Sequence, residues 1–222
     1  MSTATATATS ARAGNAAGLL LLLKLRTFIA LIAVTLFFAI MAPNFVSVAN
    51  AVIISKHVAI NAILAIGMTY VILTGGIDLS VGSIVGLTGM VAGGLIVHGL
   101  QLPMLGVIVY PNVIEVIIIA LAVGTAIGAI NGLLVTKLGV APFIATLGTL
   151  YVARGAALLL SGGATFSNLV GKPELENQGY PIIGSGNVLG VPVSIIILVV
   201  LAVVAAYVAQ RTPFGRRVYA VG

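Results

Sequence analysis

Apolar residues in this chain come in long unbroken blocks instead of alternating with polar ones. A hydrocarbon layer of about 30 Å takes about 20 apolar residues to cross as a helix. By that measure six blocks qualify: Thr27–Ala42, Val58–Thr74, Leu79–Val97, Val113–Val135, Val140–Leu160 and Val191–Ala209. Several sit at the short end of the range. The pattern predicts an all-α chain, a polytopic transmembrane helix bundle of about six spans. Leu102–Tyr110 is apolar but too short to cross, and Pro111-Asn112 breaks it from the next block, so a re-entrant segment is an option there. Ser161–Gly190 is the longest connection, rich in Gly, Asn and Pro. Residues 1–18 are Ala, Thr, Ser and Gly with one Arg and read as a disordered leader. Residues 19–222 read as one transmembrane domain. Leu19–Arg26 followed by Thr27–Ala42 has the charged and apolar regions of a signal peptide. The long start and the later spans favour an uncleaved first helix.

Composition sharpens this. Of 222 residues, 60% are hydrophobic and only 6% charged, where soluble domains carry about a quarter. So few charges cannot coat a water-soluble surface. A soluble enzyme, a disordered regulator and a nucleic-acid-binding domain are excluded as readings, and the surroundings are membrane lipid. There is no cysteine, and His57 and His98 are too few and too far apart for a metal site.

The net charge of +6 is topology information. With the N-terminus in the cytoplasm, Arg12, Lys24, Arg26, Lys137, Arg211, Arg216 and Arg217 fall inside, and only Lys56 and Lys172 fall outside. Six spans then return the C-terminus to the cytoplasm. Glycines recur at four-residue spacing, at Gly82/Gly86, Gly89/Gly93 and Gly124/Gly128/Gly132. On a helix that spacing bares one face for close packing.

Three places hold candidate chemistry. In Leu73-Thr-Gly-Gly-Ile-Asp-Leu-Ser, Gly75 and Gly76 release the backbone from helix between two spans. Asp78 or Ser80 then caps the third span by accepting from its first amides. The alternative, compatible with a cap, is a polar pathway for a hydroxyl-rich solute. Arg154 lies inside the fifth block, where a charge costs at least ~2.5 kcal/mol and faces a partner or a cavity. Glu115 is the candidate partner, and a pathway lining is the alternative. Asn131, Thr146 and Thr149 are weaker lining candidates, single polar residues in spans being mostly interhelical hydrogen-bond partners. The last stretch, Arg211-Thr212-Pro213-Phe214-Gly215-Arg216, is expected to turn at Pro213 and Gly215. It serves either as a cationic flank or as a docking surface with Phe214 and Tyr219 as apolar anchors. Phosphate-cradling, nucleophile-elbow and zinc-hydrolase motifs are absent. The chain therefore reads as a non-enzyme without its own cofactor.

At these residues the sequence resembles the membrane permeases of bacterial ABC sugar importers of the ribose/xylose/arabinose type. The resemblance rests on Ala65–Ser83, on Asn131–Thr149 continuing to Arg154-Gly155, and on Arg211–Gly222. It implies an inner-membrane permease subunit importing a monosaccharide or polyol by alternating access. It implies a second permease copy, a cytoplasmic ATPase subunit holding ATP and Mg, and a periplasmic sugar-binding protein. It also implies that Arg211–Gly222 begins the ATPase-coupling loop and that Gly75, Gly76 and Asp78 matter for function. Such permeases run about a hundred residues longer, so a C-terminally truncated chain is expected. A scaffold or inactive fragment and an ion-coupled secondary transporter are the alternatives.

Overall fold

The computed structural model describes residues 25–104 and 106–222. The disordered-leader reading of residues 1–18, and the cations Arg12 and Lys24, lie outside the described residues. The chain divides into two units, residues 1–53 and 54–222, the division falling within the second helix.

The first unit holds α1 (Leu25–Met41), an apolar helix of the 10–17-residue class. It also holds the start of α2 (Val48–Leu73). That start corrects the expectation of Val58. Ser47 opens the helix: its Oγ accepts from the Asn50 amide at 3.2 Å and its carbonyl accepts from Ala51 at 3.0 Å. Lys56 and His57, read as a boundary, sit mid-helix, because a helix extends past the edge of an apolar block wherever its backbone hydrogen bonds continue.

In the second unit follow α3 (Val81–His98), α4 (Val113–Thr136), α5 (Pro142–Ser161), α6 (Tyr180–Ser185), α7 (Val193–Arg211) and α8 (Pro213–Val221). Helices α2, α3, α4, α5 and α7 are long and apolar enough to cross a membrane, as the block pattern predicts. The Leu102–Tyr110 segment is no re-entrant helix. Its β-branched Val107-Ile108-Val109 pairs antiparallel with Leu100–Leu102 as a hairpin, β1–β2. A second hairpin, β3 (Asn187–Val188) with β4 (Val191–Pro192), leads into α7.

Helix α3 packs mainly on α5 and α4. Ala92, Leu95 and Ile96 of α3 meet Val116 of α4 in a small core, with Tyr180 of α6 against it. Large apolar side chains elsewhere stay open, among them Ile72, Ile118, Leu121 and Val203. Lipid is as apolar as they are, so leaving them open costs little there. The glycine spacing is used selectively. A Cβ on Gly93 would stand 2.7 Å from the Phe166 ring, and one on Gly124 would stand 3.4 Å from Thr88. Gly82, Gly86, Gly89, Gly128 and Gly132 have nothing within 4 Å of such a Cβ.

Two ends of this unit differ. At the loop end, Lys56 Nζ donates to the Ser185 carbonyl at 2.9 Å. There Asn177, fully buried, donates from Nδ2 to the Ile96 carbonyl at 3.1 Å, and its Oδ1 accepts from the Lys172 amide at 2.7 Å. At the break end lie the α2–α3 connection, the α4–α5 turn and α8.

Candidate pathway and coupling helix

Helix α2 stops because Gly75 takes φ +73°, the left-handed region that glycine enters without penalty. The Gly76 amide donates to the Val71 carbonyl at 3.0 Å and the Gly75 amide to Ile72 at 2.9 Å. This is the Schellman arrangement that satisfies a helix's last carbonyls. The helix break expected at Gly75 and Gly76 is therefore present, with this specific geometry.

The capping expectation is corrected in detail. Ser80 occupies the N-cap position of α3, but its side chain accepts from none of the helix's first amides. It is fully buried and turned elsewhere. Its Oγ donates to Asp78 Oδ1 at 2.6 Å and accepts from Asn131 Nδ2 at 3.0 Å. Asp78 Oδ1 also accepts from the Ser80 amide at 2.8 Å. The carboxylate thus closes a local turn one residue before the helix instead of capping its interior amides. Asn131, buried in α4, accepts at Oδ1 from the Thr149 hydroxyl of α5. Thr146 Oγ1, also buried, accepts from the Leu79 amide at 3.2 Å and lies 2.8 Å from the Pro142 carbonyl. Ser80, Asn131, Thr146 and Thr149 are therefore satisfied polar ties joining the break to α4 and α5, as single polar residues in spans mostly are. Asp78 also lines a cleft of about 390 Å³ with Gly76, Asn131, Pro142 and Val221.

The Arg154–Glu115 pair does not form. Glu115 stays at the start of α4 in a capping box: its Oε2 accepts from the Asn112 amide at 2.9 Å, and its own amide donates to Asn112 Oδ1 at 3.0 Å. The Asn-x-x-Glu spacing at Asn112 was the sequence signal for this, and it engages the carboxylate locally. Arg154 is exposed and lines a groove of about 350 Å³ with Leu79, Gly82, Ser83, Gly86, Leu150 and Ala157.

At the chain's far end the expected turn lies at Thr212, not at Gly215. Thr212 is the N-cap of α8 and Pro213 its first residue. Proline suits that position because its missing N–H would be unpaired there anyway. Thr212 Oγ1 donates to the Val208 carbonyl at 2.6 Å and accepts from the Gly215 amide at 3.3 Å. Gly215 and Val218 are buried, whereas Phe214, Arg216, Arg217 and Tyr219 are exposed. Gly215 is glycine because a Cβ would stand 2.0 Å from the Ala209 carbonyl oxygen. A short helix with two small buried positions and an outward row of cations and aromatics follows from these facts.

Residues 50–222 match the family described as branched-chain amino acid transport system / permease component. The chain belongs to that family. Its relatives are multi-pass membrane permease components, and its five long apolar helices fit that description. It is 40% identical over 199 residues to the ribose import permease protein RbsC of Bacillus subtilis, covering 90% of this chain and 57% of that protein. It is 39% identical over 201 residues to RbsC of Haemophilus influenzae, covering 90% of this chain and 58% of that protein. The fructose import permease protein FruF of Bifidobacterium longum is 36% identical over 159 residues, 72% of this chain and 41% of that protein. The chain thus spans little more than half the length of the ribose permeases it matches. No solved structure matches.

Proposed function

We propose that this chain serves in an ATP-driven importer as the permease component for a monosaccharide, a pentose of the ribose class first. The observation that carries this is the 40% identity to a ribose import permease across 90% of the chain. ATP, with Mg, is hydrolysed on a separate cytoplasmic subunit. The N- and C-termini face the cytoplasm, which puts the break end inside and the loop end outside. Arg211 at the end of α7, with Phe214 and Arg216 in the outward row of α8, docks the ATPase. The loop end, where Lys172–Asn177 folds onto α3, faces a periplasmic sugar-binding protein. A second permease copy completes the route.

The residues divide by what they do. Gly75, Gly76 and Ser80 shape the break, and Asn131 and Thr146 hold it to α4 and α5. Asp78 and Arg154 each line an open cleft and bring a charge to where a solute could sit. A conservative Asp78→Asn variant keeps most of the local turn and removes the charge. Loss of uptake by it supports a pathway role; unchanged uptake would leave Asp78 as a turn former.

The test is uptake of radiolabelled ribose by membranes carrying the permease with its ATPase and binding protein. Saturable, ATP-dependent ribose uptake is expected, and fructose and leucine are run as competitors. Leucine uptake without ribose uptake would move the reading to the amino-acid substrate that the family description names. Uptake that survives removal of the ATPase but collapses under an uncoupler would replace the reading with ion-coupled transport. For docking, replacing both Phe214 and Arg216 with Ala should abolish co-purification of the ATPase while membrane insertion persists. Retained binding in that double variant would end the docking assignment.

A further inference from the structure

The last turn of α2 meets the start of α8 and, past its other end, Gly222. Near the start of α8, the Tyr70 ring lies against Phe214, centroids 6.2 Å apart and planes tilted by 38°. The Tyr70 hydroxyl donates to the Ala205 carbonyl of α7 at 2.6 Å, which fixes the ring in place. At the far end of α8, Val221 lines the 390 Å³ cleft with Val71, Thr74, Gly76 and Asp78. Gly222 lies so close to α2 that a Cβ there would stand 1.7 Å from the Leu73 carbonyl oxygen. Pro213–Val221 of α8 span about 13 Å. The Phe214 and Gly222 contacts both bear on residues 70–74, directly before the left-handed Gly75.

What lies beyond that glycine is anchored differently. Ser80 is tied to Asn131, Asn131 to Thr149, and Leu79 to Thr146. Residues 79–80 therefore belong mechanically to α3, α4 and α5, whereas residues 70–74 belong to α2, α7 and α8. Gly75 and Gly76 separate the two bodies. Glycine has the backbone freedom to absorb a change of φ and ψ, and hinges are a few loop or element-terminal residues of this kind.

We propose that α8 drives the break: movement of α8 is passed through the Tyr70–Phe214 contact and the Gly222 backbone to the last turn of α2, which pivots at Gly75-Gly76 and changes the width of the Asp78 cleft. Tyr70 is a positioning residue, acting through the backbone and lying outside the cleft lining. The inference rests on the reading that α8 docks the ATPase. It adds which element receives the motion, and where that element bends.

The chain has no cysteine, so engineered thiols are its only ones. The experiment joins Thr74→Cys to Val221→Cys with a short, reducible, thiol-specific cross-linker, in the permease assembled with its ATPase and binding protein. Cross-linked protein should keep its ATPase bound, lose ribose uptake by about tenfold or more, and regain it on reduction. Full-rate uptake by fully cross-linked protein would overturn the proposal. A second arm needs no cross-link. Tyr70→Ala should keep ATPase binding and ATP hydrolysis but raise the ATP consumed per sugar imported. Tyr70→Phe, which retains the ring against Phe214, should recover most of the coupling. An unchanged ratio in Tyr70→Ala would also overturn the proposal. These failures are distinct from failure of the docking reading, in which the unmodified chain itself would not retain the ATPase, and with it both readings would fall.

Discussion

The two ends of the bundle are held by different kinds of contact. At the break end the ties run between helices, side chain to side chain, from Ser80 to Asn131 to Thr149. At the loop end a connection folds onto a helix terminus. Asn177 satisfies the carbonyl of Ile96, one of the last four of α3, while Phe166 lies on Gly93 and packs edge-on against His98 at 5.5 Å. The first arrangement fixes the spacing of spans. The second fixes only the loop. A movement that starts at the break end must therefore change how helices sit, whereas the loop end can rearrange over an unchanged bundle.

The sharpest way to break this contrast is Gly215→Ala. The new methyl would meet backbone oxygens of Ala209 and Val208, at 2.0 and 2.5 Å, which cannot rotate away. Overpacking costs typically 1–3 kcal/mol and occasionally more, so we expect α8 to detach from α7 at about the upper end. Rapid tryptic cleavage after Arg216 and Arg217, slow in the parent, is the readout. Equal cleavage rates would mean that α8 is not seated as described.

Next in size are the paired variants Asn131→Leu and Asn177→Leu. Interhelical hydrogen bonds in membranes are worth about 0.6–2 kcal/mol each, and Asn131 makes two. Its loss should lower the thermal midpoint in detergent. The Asn177 variant should instead speed proteolysis within residues 161–190 with a smaller shift of the midpoint. Equal midpoint losses would erase the distinction between the ends.

A smaller effect separates the glycines. Gly93→Ala should cost about 1–2 kcal/mol by displacing Phe166, and Gly86→Ala, with open space around it, should stay within about 0.5 kcal/mol. Thermal midpoints of the two would check this, and an equal loss would contradict the packing assigned to Gly93.

The smallest effect concerns pH. Burial raises the Tyr180 phenol above its ordinary 10.0. A raised acid stays protonated in the fold when the unfolded chain has already ionised. The stability it contributes is whole below pH 10 and falls as pH climbs beyond. Tyr180→Phe should flatten that alkaline decline in a pH series of midpoints.

Much of this was legible beforehand. Span positions follow from hydropathy, because lipid demands continuous apolar helix of a set length. Gly75-Gly76 marks the break because glycine alone enters the left-handed turn cheaply. The Asn112–Glu115 box is written in the spacing, and it holds locally a carboxylate that charge and depth alone would pair with Arg154. Leu102–Tyr110 left a re-entrant segment open for another reason: an apolar run too short to cross carries no periodicity that separates strand from helix.

By itself the sequence determined the long apolar helices α1–α5 and α7, their limits to within a few residues save the start of α2, the break, and the family, but not the short α6 and α8. All of these rest on local rules, namely hydropathy, glycine and proline geometry, and motif spacing. Only the tertiary structure decided that Ser80 serves Asn131 and not its own helix, that Arg154 has no carboxylate of α4, and that α8 returns to the end of α2. Those outcomes depend on which side chains from distant segments come within about 3 Å, and hydrogen-bond partners are chosen at that distance.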